Sequence, residues 1–356
     1  MSDAIASRLS ERERWLSPYA VRTETSQGRD ISEALSPTRS EFQRDRDRIL
    51  HTKSFRRLKH KTQVFIAPLG DHYATRLTHT LEVTQIARTI ARALNLNEDL
   101  TEAIALGHDL GHTPFGHVGE YAMDELHPGG FRHSRQSLRI VEQLEKDGSG
   151  LNLMWEVRDG ILNHSKPRGD FLGERSVESL SLEGQICRIS DAVAYLNHDL
   201  ADSFRAGILT PDTLPSEVSE VLGETHARRI NNMVSDIVET SWDATGETGS
   251  GAIPVISMSK EVRSAFYTLR EFMFDHVYLP ESDGVLGKTA EDVMGLLYSH
   301  FRANGSEIPK EYGQRSKSED MAVVDYISGM TDHYAIRVAE RIRPGIAAPF
   351  TERRVV

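Results

Sequence analysis

Residues 97–120 read NEDLTEAIALGHDLGHTPFGHVGE, and within them a helix ends and a cluster of ligand-type side chains begins. Asn97 or Asp99 can cap that helix, whose body is the apolar run from Leu100 to Leu106. Gly111 and Pro114 stop it. His108 and Asp109 therefore leave its last turn side by side and face a bend, with His112, His117 and Glu120 just beyond. Neutral imidazole beside carboxylate suits a divalent ion such as Mn, Fe, Zn, Co or Mg. A His-Asp dipeptide is also an ordinary capping or surface pair, so the metal reading needs partners from elsewhere in the chain.

Working outward, the same helical period recurs. Over 75–95, Val83, Ile86, Ile90 and Leu94 share one stripe, and His79 falls on it one turn after Arg76. Over 183–205, Ile186, Ile189, Val193, Leu196 and Leu200 make an apolar stripe. Asp191, Tyr195 and Asp199 make a second one almost opposite, fit either for solvent or for the wall of a polar cleft. Gly129 and Gly130 mark a turn into a helix that starts near His133. Further helices are expected at 153–164, 226–240, 258–278, 286–303 and 318–343, with loops at 166–176 and 244–252. Residues 1–38 read as a short helix followed by an irregular arm. No stretch alternates as a strand would, and no internal repeat is present. The expected fold is all-α: one domain over 39–356, its core at about 75–200.

Composition narrows the class. The chain has 356 residues, 38% hydrophobic and 27% charged, the profile of an ordinary globular protein. No eighteen consecutive apolar residues occur, so no membrane span is expected. The first residues lack the apolar core of a signal peptide, and a lone Cys187 offers no internal disulfide, which fits a cytoplasmic protein. A net charge of −11 argues against a protein wrapped in nucleic acid and requires local cations for any polyanionic ligand. Such cations are concentrated at 39–61, where Arg44, Arg46, Arg48, Arg56, Arg57 and Lys61 stand among others. That segment is either a solvated helix face or a phosphate-binding surface.

His79, the pair His108-Asp109 and Asp191 sit on three separate helical segments, which a bundle can converge on one ion while leaving positions open for water and substrate. With these residues in place the chain resembles the HD-domain phosphohydrolases, defined by the order His, His-Asp, Asp. More narrowly it is similar to the bacterial deoxyguanosine-triphosphate triphosphohydrolase-like proteins. The likeness is carried by residues 47–51, 54–58 (Ser-Phe-Arg-Arg-Leu), 61–65 (Lys-Thr-Gln-Val-Phe), 75–83, 108–120, 131–133 and 325–332. It covers roughly 20–340. The metal pattern is common to many HD enzymes, whereas the segments around Arg57 and His117 are specific to this branch.

The resemblance implies an HD helical fold with extra N- and C-terminal helices and a divalent ion on His79, His108, Asp109 and Asp191. Mn or Mg is expected ahead of Fe, Co, Ni or Zn. It implies hydrolysis of deoxynucleoside triphosphates to deoxynucleoside and tripolyphosphate. His117 matches the catalytic histidine, Glu120 the acid that orients it from one turn away, and His133 a further active-site histidine. Arg76 matches a phosphate contact. Gln63 matches a substrate contact, Tyr195 and Asp199 the residues under the deoxyribose, and Arg56 and Arg57 a phosphate or regulatory-nucleotide region. His112 belongs to the substrate surroundings rather than to the ion. A homo-oligomer is expected, with an activating nucleotide as a further partner. The chemistry agrees: expelling a nucleoside oxygen requires a proton donor such as an imidazolium, and cations must hold the triphosphate. Nothing in the chain reads a base edge, so guanine preference is unsupported. Two other functions fit the residues less well. One is a different HD phosphohydrolase, a monophosphatase or phosphodiesterase; the other is a nucleotide-sensing or single-stranded DNA-binding module, which the acidic balance opposes.

Overall fold

A computed structural model describes residues 2–66, 72–165, 180–249 and 253–352. Among them the chain is helical, and the single pairing outside helices is an antiparallel bridge between Thr62 and Thr75. The all-α expectation holds. No helix among the described residues is long and apolar enough to cross a membrane.

The chain divides into two compact units, each built from separated stretches. The first comprises Met1–His51, Thr80–His108 and Leu151–Met273. Its centre is the Glu98–Gly107 helix, capped by Asn97, whose side chain accepts from the Leu100 N–H at 3.1 Å. That helix packs on Glu41–Leu50, Trp155–Asn163 and Leu182–Arg205. Two glycines let it approach its neighbour closely: a Cβ on Gly107 would sit 2.5 Å from Ile161 Cδ1, and one on Gly160 would sit 2.5 Å from Ile104 Cδ1. The predicted apolar stripe of Leu182–Arg205 is wholly buried, and Cys187 beside it donates to the Thr101 carbonyl. Residues 1–38 belong to this unit. Val21 N–H donates to Glu183, and Arg29 pairs with Glu41 and Asp45.

The second unit comprises Thr52–His79, Asp109–Gly150 and Phe274–Val356. The Val285–Ala303 helix runs through its apolar core, covered by Gly116–Leu126, Glu319–Ser328, Asp332–Ile342 and Ala348–Glu352. The passage from one unit to the other falls inside the Arg76–Ala93 helix and again between His108 and Asp109.

Several predicted elements change on inspection. The helix expected at 318–343 is two helices, because the chain breaks at Gly329–Met330 and Thr331 caps anew, accepting from Tyr334 N–H. The one expected at 258–278 runs as Lys260–Met273 and then widens into a π-helical turn over Phe274–Tyr278. The loop expected at 244–252 opens with a 3₁₀ turn, Trp242–Thr245. Its last three residues, like the loop expected at 166–176, lie outside the described residues.

Candidate metal centre and active site

In the first unit three ligand types meet. His108 and His164 each stand one residue beyond a helix end, and the glycine contacts at 107 and 160 bring those ends together. Their rings meet edge to face with centroids 4.9 Å apart. Each ring turns Nδ1 onto the carbonyl three residues back, Ala105 at 2.6 Å and Ile161 at 2.7 Å. A carbonyl only accepts, so Nδ1 carries the proton in both and Nε2 keeps its lone pair. One donor atom from each of His108, His164 and Asp191 falls within 4.8 Å of the others. His164 gave no sequence signal, since it follows its helix without a motif.

Further along the Leu182–Arg205 helix, Tyr195 is half-buried and burial pushes its hydroxyl up, opposed by Arg270. Asp199 is buried, and its carboxylate holds His198 Nδ1 at 2.8 Å. That contact raises the His198 pKa against the effect of burial. The arginines of the Glu41–Leu50 helix are engaged by acids: Arg44 with Glu33 and Glu41, Arg46 with Asp47 and Glu102, and Arg48 with Glu33.

The second unit holds the remaining candidates. Asp109 is buried with its two oxygens facing different groups. Oδ2 accepts from Arg76 Nη1 at 2.8 Å and lies 3.7 Å from His79 Nε2; Oδ1 lies 3.3 Å from His112 Nε2 and 4.0 Å from His133 Nε2. Asp109, His112 and His133 again bring donors within 4.8 Å of one another. The His112 and His133 rings are stacked at 4.0 Å. Burial and the Arg76 charge hold His112 well below the usual imidazole range. His133 is the first residue of the His133–Arg139 helix, and Glu120 accepts from both its N–H and its Nδ1, each at 2.8 Å. Glu120 lies one turn beyond His117 as predicted, yet His117 Nδ1 stands 3.6 Å away, and the His117 side chain is 55% exposed. Among the described residues the buried Gln63 Oε1 has no hydrogen-bond partner. Arg56 is exposed and Arg57 half-buried.

Both donor sets combine imidazole with carboxylate, and the two His108 and His164 tautomers present lone pairs, so the residues fit a divalent cation.

An HD domain matches residues 76–196, a range that contains His79, His108, Asp109 and Asp191, and a phosphohydrolase-associated domain matches 256–341. Three relatives are each named deoxyguanosinetriphosphate triphosphohydrolase-like protein. The one from Caldanaerobacter subterraneus subsp. tengcongensis is 53% identical over 323 residues, covering 90% of both chains. Those from Desulfatibacillum aliphaticivorans and Clostridium perfringens are each 46% identical, covering 92% of this chain and 94% of theirs. The chain belongs to the deoxyguanosinetriphosphate triphosphohydrolase-like family of HD-domain proteins.

Proposed function

We propose that the protein is a deoxynucleoside triphosphate triphosphohydrolase that releases deoxynucleoside and intact tripolyphosphate. The observation that supports it most is the setting of Asp109, a ligand-type carboxylate buried between the cation of Arg76 and the imidazoles of His79, His112 and His133. His79, His108, Asp109 and Asp191 would hold the divalent ion, Mn or Mg. When bound, it supplies Lewis acidity toward the triphosphate.

The chain's own residues supply the rest. Arg76 offers a guanidinium to phosphate oxygens. His117 is exposed enough to meet substrate and protonates the departing nucleoside oxygen. Glu120 and His133 hold each other, so His133 turns Nε2 away from the carboxylate. Gln63 offers a buried acceptor for a sugar or base group. Tyr195 and Asp199 select deoxyribose, the ring leaving no room for a 2′-hydroxyl; Asp199 does so with His198 already on its carboxylate. Arg56 and Arg57 serve nucleotide phosphate, as substrate or activator, in a cytoplasmic homo-oligomer.

Incubation of the purified protein with each deoxynucleotide and ribonucleotide in Mn, with product identification, tests this reading. Tripolyphosphate from deoxynucleotides is expected. Single phosphates in place of tripolyphosphate point to the monophosphatase or phosphodiesterase alternative, and equal rates on ATP and dATP remove the sugar role of Tyr195.

A further inference from the structure

The helix that carries His117 and Glu120, Gly116–Leu126, begins in a conformation that its first residues resist. Phe115 sits at its N-cap with φ 62° and ψ 24°, and Gly116 follows at φ 59°, so two consecutive residues are left-handed. Glycine tolerates this, but a bulky side chain adopts it only at a cost. Phe115 has no polar side chain with which to cap the helix. The conformation is therefore imposed from outside.

Three contacts impose it. The Phe115 ring is buried and stacked on Phe350, centroids 5.5 Å apart and planes 14° apart. Gly116 is pressed against the 62–63 backbone, where an added Cβ would lie 2.8 Å from the Gln63 carbonyl oxygen. The Phe115 N–H donates to Asp332 Oδ1 at 3.1 Å, while Asp332 Oδ2 accepts from Thr62 N–H at 2.8 Å. Beside them Lys61 Nζ donates to the carbonyls of His112 and Ser328. Two backbone donors thus converge on one side chain, one on each oxygen, and only a carboxylate offers both as acceptors. An amide of the same shape must turn its NH₂ toward one of those N–H groups.

We propose that Asp332 is a positioning residue for His117. By tying Phe115 to the 62–63 segment it fixes the left-handed entry of the helix, and hence where the imidazole one residue beyond Gly116 points. The inference rests on His117 being the proton donor of the proposed reaction. It gives the phosphohydrolase-associated segment a part in the chemistry, made through the backbone of the loop and not through substrate.

The test is a double-mutant cycle on dGTP with Mn. Asp332→Asn should lower kcat roughly tenfold, a part of the 10²–10⁴ typical of general acid catalysis. KM should stay within about twofold and bound metal should be unchanged, because no ligand moves. In a His117→Ala background the same substitution should cost less than about twofold, since the aim of an absent imidazole cannot matter. Equal losses in both backgrounds, or a folded Asp332→Asn with wild-type kcat, overturn this inference alone. A full-rate His117→Ala overturns the role of His117 and this inference with it. Should Asp332→Asn fail to fold, Phe350→Ala, which withdraws the ring stacked on Phe115, takes its place in the cycle with the same expected split.

Discussion

Glu120 holds His133 more closely than His117. Its oxygens lie 2.8 and 2.9 Å from His133 Nδ1, against 3.6 Å for the imidazole one helical turn away. Its carboxyl is held well below the usual range, above all by the His133 charge working against burial. Glu120→Gln keeps an oxygen for the His133 N–H and Nδ1–H but loses the charge and the second oxygen that face the imidazole. We expect a loss of kcat with metal content intact. The coupling to His133→Ala should exceed about 1 kcal/mol and be larger than that to His117→Ala. Steady-state rates across the two double-mutant cycles check this, and stronger coupling to His117 would reverse the assignment.

Gly111 makes a close backbone approach beside the site. A Cβ there would lie 2.3 Å from Ser137 N and 2.4 Å from His133 O, and its own N–H donates to Ser137 Oγ. These are backbone atoms of the His133–Arg139 helix and cannot rotate away. Gly111→Ala should therefore destabilise by about 1–3 kcal/mol and displace His133. The atoms nearest a Cβ on Gly107 are side-chain carbons of Ile161 and Ile49, which can change rotamer, so Gly107→Ala should cost less. Urea midpoints of the two variants check the order.

What the sequence displayed and what it hid divide along physical lines. The 182–205 and 76–93 helices were legible because a buried face repeats every 3.6 residues over many turns. The turn after His108 was legible from Gly111 and Pro114. His164 was not, because its place beside His108 comes from Gly107 and Gly160 packing under Ile161 and Ile104, a tertiary fact. Nor was the neutralisation of Arg44, Arg46 and Arg48, whose partners include Glu33 and Glu102 from other segments. The i, i+3 rule placed His117 and Glu120 on one face, but it could not show that His133, thirteen residues on, comes closer to the carboxylate. The break at Gly329 was visible in the residues, Thr331 preceding Asp332 as a cap, yet a longer periodic run obscured it.

Metal content separates ligands from their supports. Asp109→Ala removes the carboxylate that faces His79, and Mn should be lost on dialysis with activity. His164→Ala should weaken Mn binding by roughly 10–100-fold, the usual cost of removing a group that sets or completes a ligand shell. The His108 tautomer should survive that change, since it is fixed by the Ala105 carbonyl. Elemental analysis after dialysis against graded Mn decides, and unchanged affinity in His164→Ala would leave that ring a packing residue.

A last expectation concerns Glu183, which links the N-terminal arm to the helix that ends at Gly107. Its Oε1 accepts from the backbone N–H of Val21 at 3.0 Å and of Asn97 at 3.1 Å, while the buried Oε2 has no hydrogen-bond partner among the described residues. Burial pushes its carboxyl from 4.5 up to about 7, with the Glu156 charge adding to the rise. A raised pKa means that the folded protein keeps a proton the unfolded chain has already released. The stabilisation is thus fully present below about pH 4.5, declines as pH rises, and is gone once pH passes about 7. A shift of that size corresponds to at most roughly 3 kcal/mol. Glu183→Gln keeps an oxygen for both N–H groups and cannot ionise. Its stability should therefore lack this decline between pH 5 and 8, and it should exceed wild type above pH 7. Urea titrations at four or five pH values measure both curves. Parallel curves would show that the Glu183 carboxylate ionises at its ordinary pH, with the arm held independently of its protonation.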